Sequence, residues 1–187
     1  HGWEDDLADD KGFSDGSAHV AGSDGKVGAT ATFTFTGTGV DIYTRTNDKT
    51  GMVIAMLYEG TGKNLVAQYS IMVDNLAASG DYYQIPTLSF FKIPARDENG
   101  KIMKEDDGST KMIPLPHGTY TVKLIASKVK ETQTDSARFL YYLDGIRVYN
   151  PIQNLEGNET VSGAYGEKEL NANFVEIRDK LLDAGSF

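Results

Sequence analysis

Three histidines, His1, His19 and His117, are the only imidazoles in the chain, and there is no cysteine. A cysteine nucleophile, a thiolate zinc site and any disulfide are therefore excluded. His117 sits in Pro116-His117-Gly118 ahead of a strand pattern and reads as a turn residue. No hydrolase nucleophile elbow and no phosphate loop are read in the chain. A glycosidase needs two carboxylates roughly 5 to 9.5 Å apart. With 27 acidic residues some pair meets that distance by chance, so acid content marks no site. Asp41 and Asp144 stand in or beside strand patterns, and Asp144 opens an Asp-Gly turn. The acidic run from Trp3 to Asp10 lacks the register of a calcium loop. No catalytic residue and no cofactor are expected, and metal ligands are not assigned.

Sugar recognition is the chemistry left. A pyranose presents an apolar face and a rim of hydroxyls, which proteins meet with an aromatic plane and a few polar groups. Ten tyrosines and one tryptophan supply planes. Trp3 is a candidate, with a plug that packs the N-terminal segment onto the core as the competing reading. Tyr43 and Arg45 alternate onto one face of a strand, beside Asn47 and Asp48 in the adjoining loop; a solvated cross-strand pair is the alternative. Tyr82, Tyr83 and Gln84 lie where a loop meets a strand, so at least one ring faces outward. Tyr165 precedes a helical pattern and is placed to close a cleft. Tyr141, Tyr149 and Phe139 share one side of the last strands and are expected in the core.

The elements that would position these residues repeat every two residues from Ala18 to Asn150. Thr30, Thr32, Thr34 and Thr36 alternate with Ala31, Phe33 and Phe35, giving one polar and one buried face. Gly37-Thr38-Gly39 reads as a hairpin turn. Residues 52–58 are nearly all apolar, as in a central strand covered on both faces. Pro86 inside the strand pattern at 82–93 marks a strand start, an edge or a bulge. Residues 96–111 read as a mobile polar excursion with a small hairpin near Lys101, Ile102 and Met103. Phe139 to Tyr149 reads as strand, Asp144-Gly145 turn or bulge, and strand. Such spacing favours an antiparallel β-sandwich. Residues 1–17 form an acidic, solvated leading segment, residues 18–150 the sandwich, and residues 151–187 a loop plus an amphipathic helix. Leu170, Phe174, Ile177 and Leu181 form the helix stripe, which must pack on the sandwich or on a further partner.

Apolar content of 40% and charged content of 24% describe an ordinary globular chain. A net charge of −9 disfavours nucleic acid, which needs a basic face. No apolar run approaches the roughly eighteen residues that a membrane helix requires. The start at His1 reads as a piece of a larger, exported protein whose targeting segment lies elsewhere.

Three motifs carry a family resemblance: Phe35-Thr-Gly-Thr-Gly-Val-Asp-Ile-Tyr-Thr-Arg-Thr46, Leu115-Pro-His-Gly-Thr-Tyr-Thr-Val-Lys-Leu124 and Tyr142-Leu-Asp-Gly-Ile-Arg-Val-Tyr-Asn-Pro151. In this order they resemble the jelly-roll or galactose-binding-like sandwiches of carbohydrate-binding modules. Among these, the chain is similar to modules in surface proteins of gut Firmicutes, including starch-adherence proteins of amylosome complexes. The resemblance covers roughly residues 29–151 and rests on scaffold strands and turns. It implies a mainly β, jelly-roll-like fold followed by a helical segment, a cell-surface or extracellular setting, and an α-glucan such as starch or maltooligosaccharide as ligand. Other domains of a larger chain would be partners, and one structural calcium is compatible with it. A structural or adhesive spacer that docks a protein partner is the alternative.

Overall fold

The computed structural model describes residues 3–4, 11–22, 28–63, 65–127, 129–130 and 137–150. The chain divides into two units, His1–Tyr149 and Asn150–Phe187. The helix expected over 167–184, and Tyr165 with it, lie outside the described residues.

The described part is mainly β. Its strands are β1 (Trp3–Glu4), β2 (His19–Ala21), β3 (Thr30–Gly37), β4 (Gly39–Thr46), β5 (Met52–Glu59), β6 (Ala67–Asp74), β7 (Tyr82–Phe90), β8 (Lys92–Pro94), β9 (Met112–Pro114), β10 (Gly118–Ser127), β11 (Val129–Lys130), β12 (Ala137–Arg138), β13 (Tyr141–Leu143) and β14 (Gly145–Tyr149). One antiparallel sheet runs β3-β10-β5-β6 and a second runs β14-β4-β7. A smaller sheet, β1-β2-β13, and the pairs β8-β9 and β11-β12 complete the set. The two larger sheets feed one core: Phe35, Val53, Leu57, Val122 and Leu124 come from the first, and Val40, Ile42, Leu88 and Phe90 from the second. Burial of each such side chain is worth about 1.5–3 kcal/mol.

Alternation decides which residues enter that core. In β3 the threonines at 30, 32, 34 and 36 are exposed while Phe35 is buried. In β5, Val53, Ala55 and Leu57 are buried, and the opposite row of Met52, Ile54, Met56 and Tyr58 is only half-covered. Pro86 falls on β7, the edge of its sheet, where only one side of the strand is paired and proline is tolerated. The β4–β7 register shifts twice around Thr44, and Gln84 there takes a left-handed φ of 54°.

One local expectation changes in the fold, while the Asp144-Gly145 step between two strands and the small hairpin near Lys101, Ile102 and Met103 are present with their pairing. Gly37-Thr38-Gly39 is not a hairpin turn, because β3 and β4 belong to different sheets; Thr38 N–H instead donates to Tyr149 O at 2.8 Å. Asp144-Gly145 likewise carries the chain from β13 in the small sheet to β14 beside β4. Residues 96–111 are built as paired segments, bridged at Arg96–Ile102 and Lys104–Thr110. Asp97 Oδ1 accepts the amides of Asn99 and Lys101, and Asp107 Oδ1 that of Ser109, so side-chain acceptors set both turns.

The leading segment contributes to packing where it is described. Phe13 is 3% exposed and clusters with Ala18, Val20 and Tyr142, which gives the chain a second, smaller core.

Candidate functional site

The residues singled out by sequence go to different places. Trp3 packs on the core edge-to-face with Tyr141, ring centroids 5.9 Å apart, as the plug reading has it. Arg45 is locked by a two-pronged ion pair with Asp81, Nε donating to Oδ1 at 2.7 Å and the second prong running from Nη2 to Oδ2. Its guanidinium also lies 4.6 Å from the Tyr83 ring centroid and 5.2 Å from that of Tyr142. The Asp81 hydrogen bond holds the Arg45 guanidinium charged well above its ordinary range and, reciprocally, pulls the Asp81 carboxyl down. Tyr83 packs against Phe13 at 4.9 Å and over Gly12, where a Cβ would fall 2.3 Å from the ring. Gln84 Nε2 donates to Gly12 O at 3.2 Å. Arg45, Tyr83 and Gln84 therefore clamp the Lys11–Phe13 stretch. Tyr82 is 51% exposed and leans over Gly80.

Tyr43 alone of these lines a cavity beside the Ser14–Gly16 turn. That cavity measures about 390 Å³ and is lined by Ser14, Asp15, Ser17, Ala18, His19, Tyr43, Leu143, Asp144, Gly145 and Ile146. It exists because two distant segments are tied together. Ser14 N–H donates to Asp144 Oδ1 at 2.7 Å across 130 residues, and Asp144 N–H donates to Tyr43 O at 3.0 Å. The other oxygen of Asp144 is buried and accepts no hydrogen bond among the described residues. Ser14–Gly16 is a tight 3-10 turn with Asp15 at φ 53° and Gly16 at φ 74°. Aspartate is one of the few non-glycine residues that visit this region in turns, at a modest cost in backbone energy. The lining thus combines an aromatic side chain, two carboxylates, two hydroxyls and one imidazole.

Gly12-Phe13-Ser14-Asp15-Gly16 does match the Gly-x-Ser-x-Gly pattern, which corrects the sequence expectation. Its setting differs from a nucleophile elbow, which is a strand-to-helix turn with an exposed, base-paired serine. Here the left-handed residue inside the turn is Asp15, and Asp144 receives the Ser14 amide, not a histidine ring. Ser14 Oγ makes no hydrogen bond to His19 among the described residues.

Beyond the cavity, the outer face of β4 and β14 carries a second constellation. Asp41 accepts hydrogen bonds from Ser89 Oγ and, at 2.7 Å, from Tyr149 Oη. That bond to Asp41 raises the Tyr149 phenol, and a hydrogen bond to Tyr43 raises the Arg147 guanidinium. Arg147 lies 5.4 Å from the Tyr149 ring centroid, and Phe91 meets Tyr149 edge-on at 4.9 Å. Tyr149, expected in the core with Tyr141, is half-buried on this outer face, whereas Tyr141 is 1% exposed. The sheet switch at Asp144 breaks the alternation that would have kept both on one side. Arg147, Tyr149, Ser14 and His19 were missed by sequence reasoning, because the β4–β14 pairing sets Arg147 and Tyr149 on the face of Tyr43, while the Ser14–Asp144 bond and the β2–β13 pairing bring Ser14 and His19 to its cavity.

Among the described residues no group of three or more His, Cys, Asp or Glu gathers in a way that could hold a metal ion. No helix among them is long and apolar enough to cross a membrane. Compared with known proteins, the chain matches no protein-family model and no curated protein sequence.

Proposed function

We propose that this chain is a non-catalytic carbohydrate-binding module, a jelly-roll-like β-sandwich of an exported bacterial surface protein. The observation that carries the reading is the cavity beside Tyr43, where an aromatic side chain meets Asp15, Asp144, Ser14 and Ser17. A sugar's apolar face and hydroxyl rim suit that combination. Two carboxylates with no lysine or arginine in the lining favour a neutral sugar over a uronate or sialylated one. The α-glucan assignment comes from the resemblance of the scaffold motifs, and an affinity no tighter than about micromolar fits a few stacked and hydrogen-bonded contacts.

The test is a pull-down on insoluble starch, cellulose, xylan and mucin, followed by calorimetry with maltooligosaccharides. Depletion by starch that is lost in Tyr43→Ala is expected. Depletion by no polysaccharide sinks the reading and leaves the spacer role. Release of reducing sugar, or turnover of an ester that is lost in Ser14→Ala, would make the cavity catalytic.

A further inference from the structure

We propose that the binding site does not end at the cavity but continues along the outer face of β4 and β14 to Tyr149 and Phe91, forming a linear platform for an internal run of a neutral glucan chain. This rests on the glycan reading given above. Strand register places Gly145 opposite Tyr43, Arg147 opposite Asp41, and Tyr149 opposite Gly39. Tyr43, Arg147 and Tyr149 therefore share one face, and from Tyr43 to the level of Gly39 is about 13 Å at the usual strand rise. One sugar ring cannot span that gap, whereas several linked rings can.

The far end is built, not incidental. Gly39 leaves a recess filled by the Phe91 ring: a Cβ there would fall 2.2 Å from that ring. Phe91 is 39% exposed, and its edge-on contact with Tyr149 makes a paired aromatic end. Tyr149 cannot swing freely, since its hydroxyl is bonded to Asp41, which Ser89 also holds. Pre-oriented rings lose little freedom when a ligand stacks on them. Between the two ends, the Arg147 guanidinium offers a fork of donors to sugar hydroxyls. Its charge is balanced by Asp41 opposite it in register, so the platform has no net attraction for an anionic polymer.

Calorimetry with maltose and with maltopentaose tests this on the unaltered protein. Maltopentaose should bind about tenfold tighter, equivalent to roughly 1.4 kcal/mol. That ratio should fall to near one in Tyr149→Ala and in Phe91→Ala, each checked for an unchanged melting profile. Equal affinity for the two sugars overturns the platform while leaving the cavity reading standing. A tenfold gain that survives both substitutions also overturns it, since the added rings would then lie elsewhere. Failure of both sugars to bind overturns the glycan reading itself, and the platform with it.

Discussion

Replacing Tyr141 by Phe should make the protein more stable, against the usual direction of core substitutions. Tyr141 is 1% exposed, belongs to the shared core and contacts Trp3 edge-to-face. Its hydroxyl is buried without a hydrogen-bond partner among the described residues, and burial alone pushes its phenol far above the ordinary range. An unsatisfied buried hydroxyl costs about 1–3 kcal/mol in lost hydration. Removing it forfeits only the dispersion contacts of one oxygen atom, a few tenths of a kcal/mol. The net expectation is about 1 kcal/mol of stabilisation, which for a chain of this size raises Tm by roughly 2–4 °C. Thermal melts with urea titration as a check on the m-value read this directly. A fall in Tm of similar size would refute the reasoning, because it would mean that the hydroxyl has a partner. The natural suspect is a buried water shared with Trp3 Nε1, which also lacks a partner among the described residues.

Asp74→Asn should cost about 2 kcal/mol by denaturant titration: it strips a two-pronged partner at 2.8 Å from Arg138, which is 7% exposed, while the 42% exposure of Asp74 keeps the loss below that of a fully buried pair. Asp74 and Asp81 are both held below the usual carboxylate range by their arginines, so the stability they contribute is fully present above about pH 4 and is lost as pH falls through their depressed folded values. Acid melts of the unaltered protein should show that loss, and Asp74→Asn should flatten it. Gly22→Ala should destabilise by about 3 kcal/mol or more, since Gly22 has φ 84° and a Cβ would fall 2.2 Å from Phe139 O; a near-native melt would contradict the backbone geometry. Arg45→Ala should lower Tm by several degrees through loss of the Asp81 pair and the ring contacts, whereas Tyr43→Ala should abolish starch depletion and leave Tm within about 2 °C. Asp15→Gly relieves a left-handed φ but adds chain entropy, so Tm should barely move while maltooligosaccharide affinity falls several-fold; a large drop in Tm would assign Asp15 to the scaffold.

The existence of the strands was legible because alternation is a local property. The Thr/Phe pattern of β3 and the alternation of β4 each follow from residues a few positions apart, and the structure covers the rows that the pattern selects, fully in β4 and in part in β3, where Ala31 and Phe33 are half-buried. What each strand pairs with is not local. Gly37-Thr38-Gly39 has the composition of a hairpin turn, yet β10 and not β4 takes the place beside β3, from more than eighty residues downstream. Nothing in three turn residues distinguishes a reversal within a sheet from a step to the opposite one, since both need only small residues and a sharp bend. The same ambiguity at Asp144-Gly145 had a larger consequence. Extending period two across that step put Tyr149 with Tyr141 in the core, and hid an aromatic residue on the face that carries Tyr43.

The cavity was illegible for a related reason. Its walls come from Ser14–His19, Tyr43 and Leu143–Ile146, three segments joined by hydrogen bonds from Ser14 and Asp144. The leading segment reads as solvated from its charge, but Phe13 anchors it, and the bulge at Gln84 turns a side-chain donor onto Gly12. The two described non-glycine residues with left-handed φ, Asp15 and Gln84, both act on this one segment. Local strain in both places is therefore spent on a single outcome, the seating of residues 11–18 against β4 and Asp144. Packing alone does not require that seating to leave a hollow. Phe13, Ala18, Val20 and Tyr142 already bury the apolar side of the segment, so what the strained turn adds is the position of Asp15 and Ser14 beside Tyr43. The turn ties to Asp144 through the Ser14 amide and sets Asp15 and Ser14 beside Tyr43, so it serves scaffold and lining together, and the glycan reading rests on the turn as much as on the tyrosine.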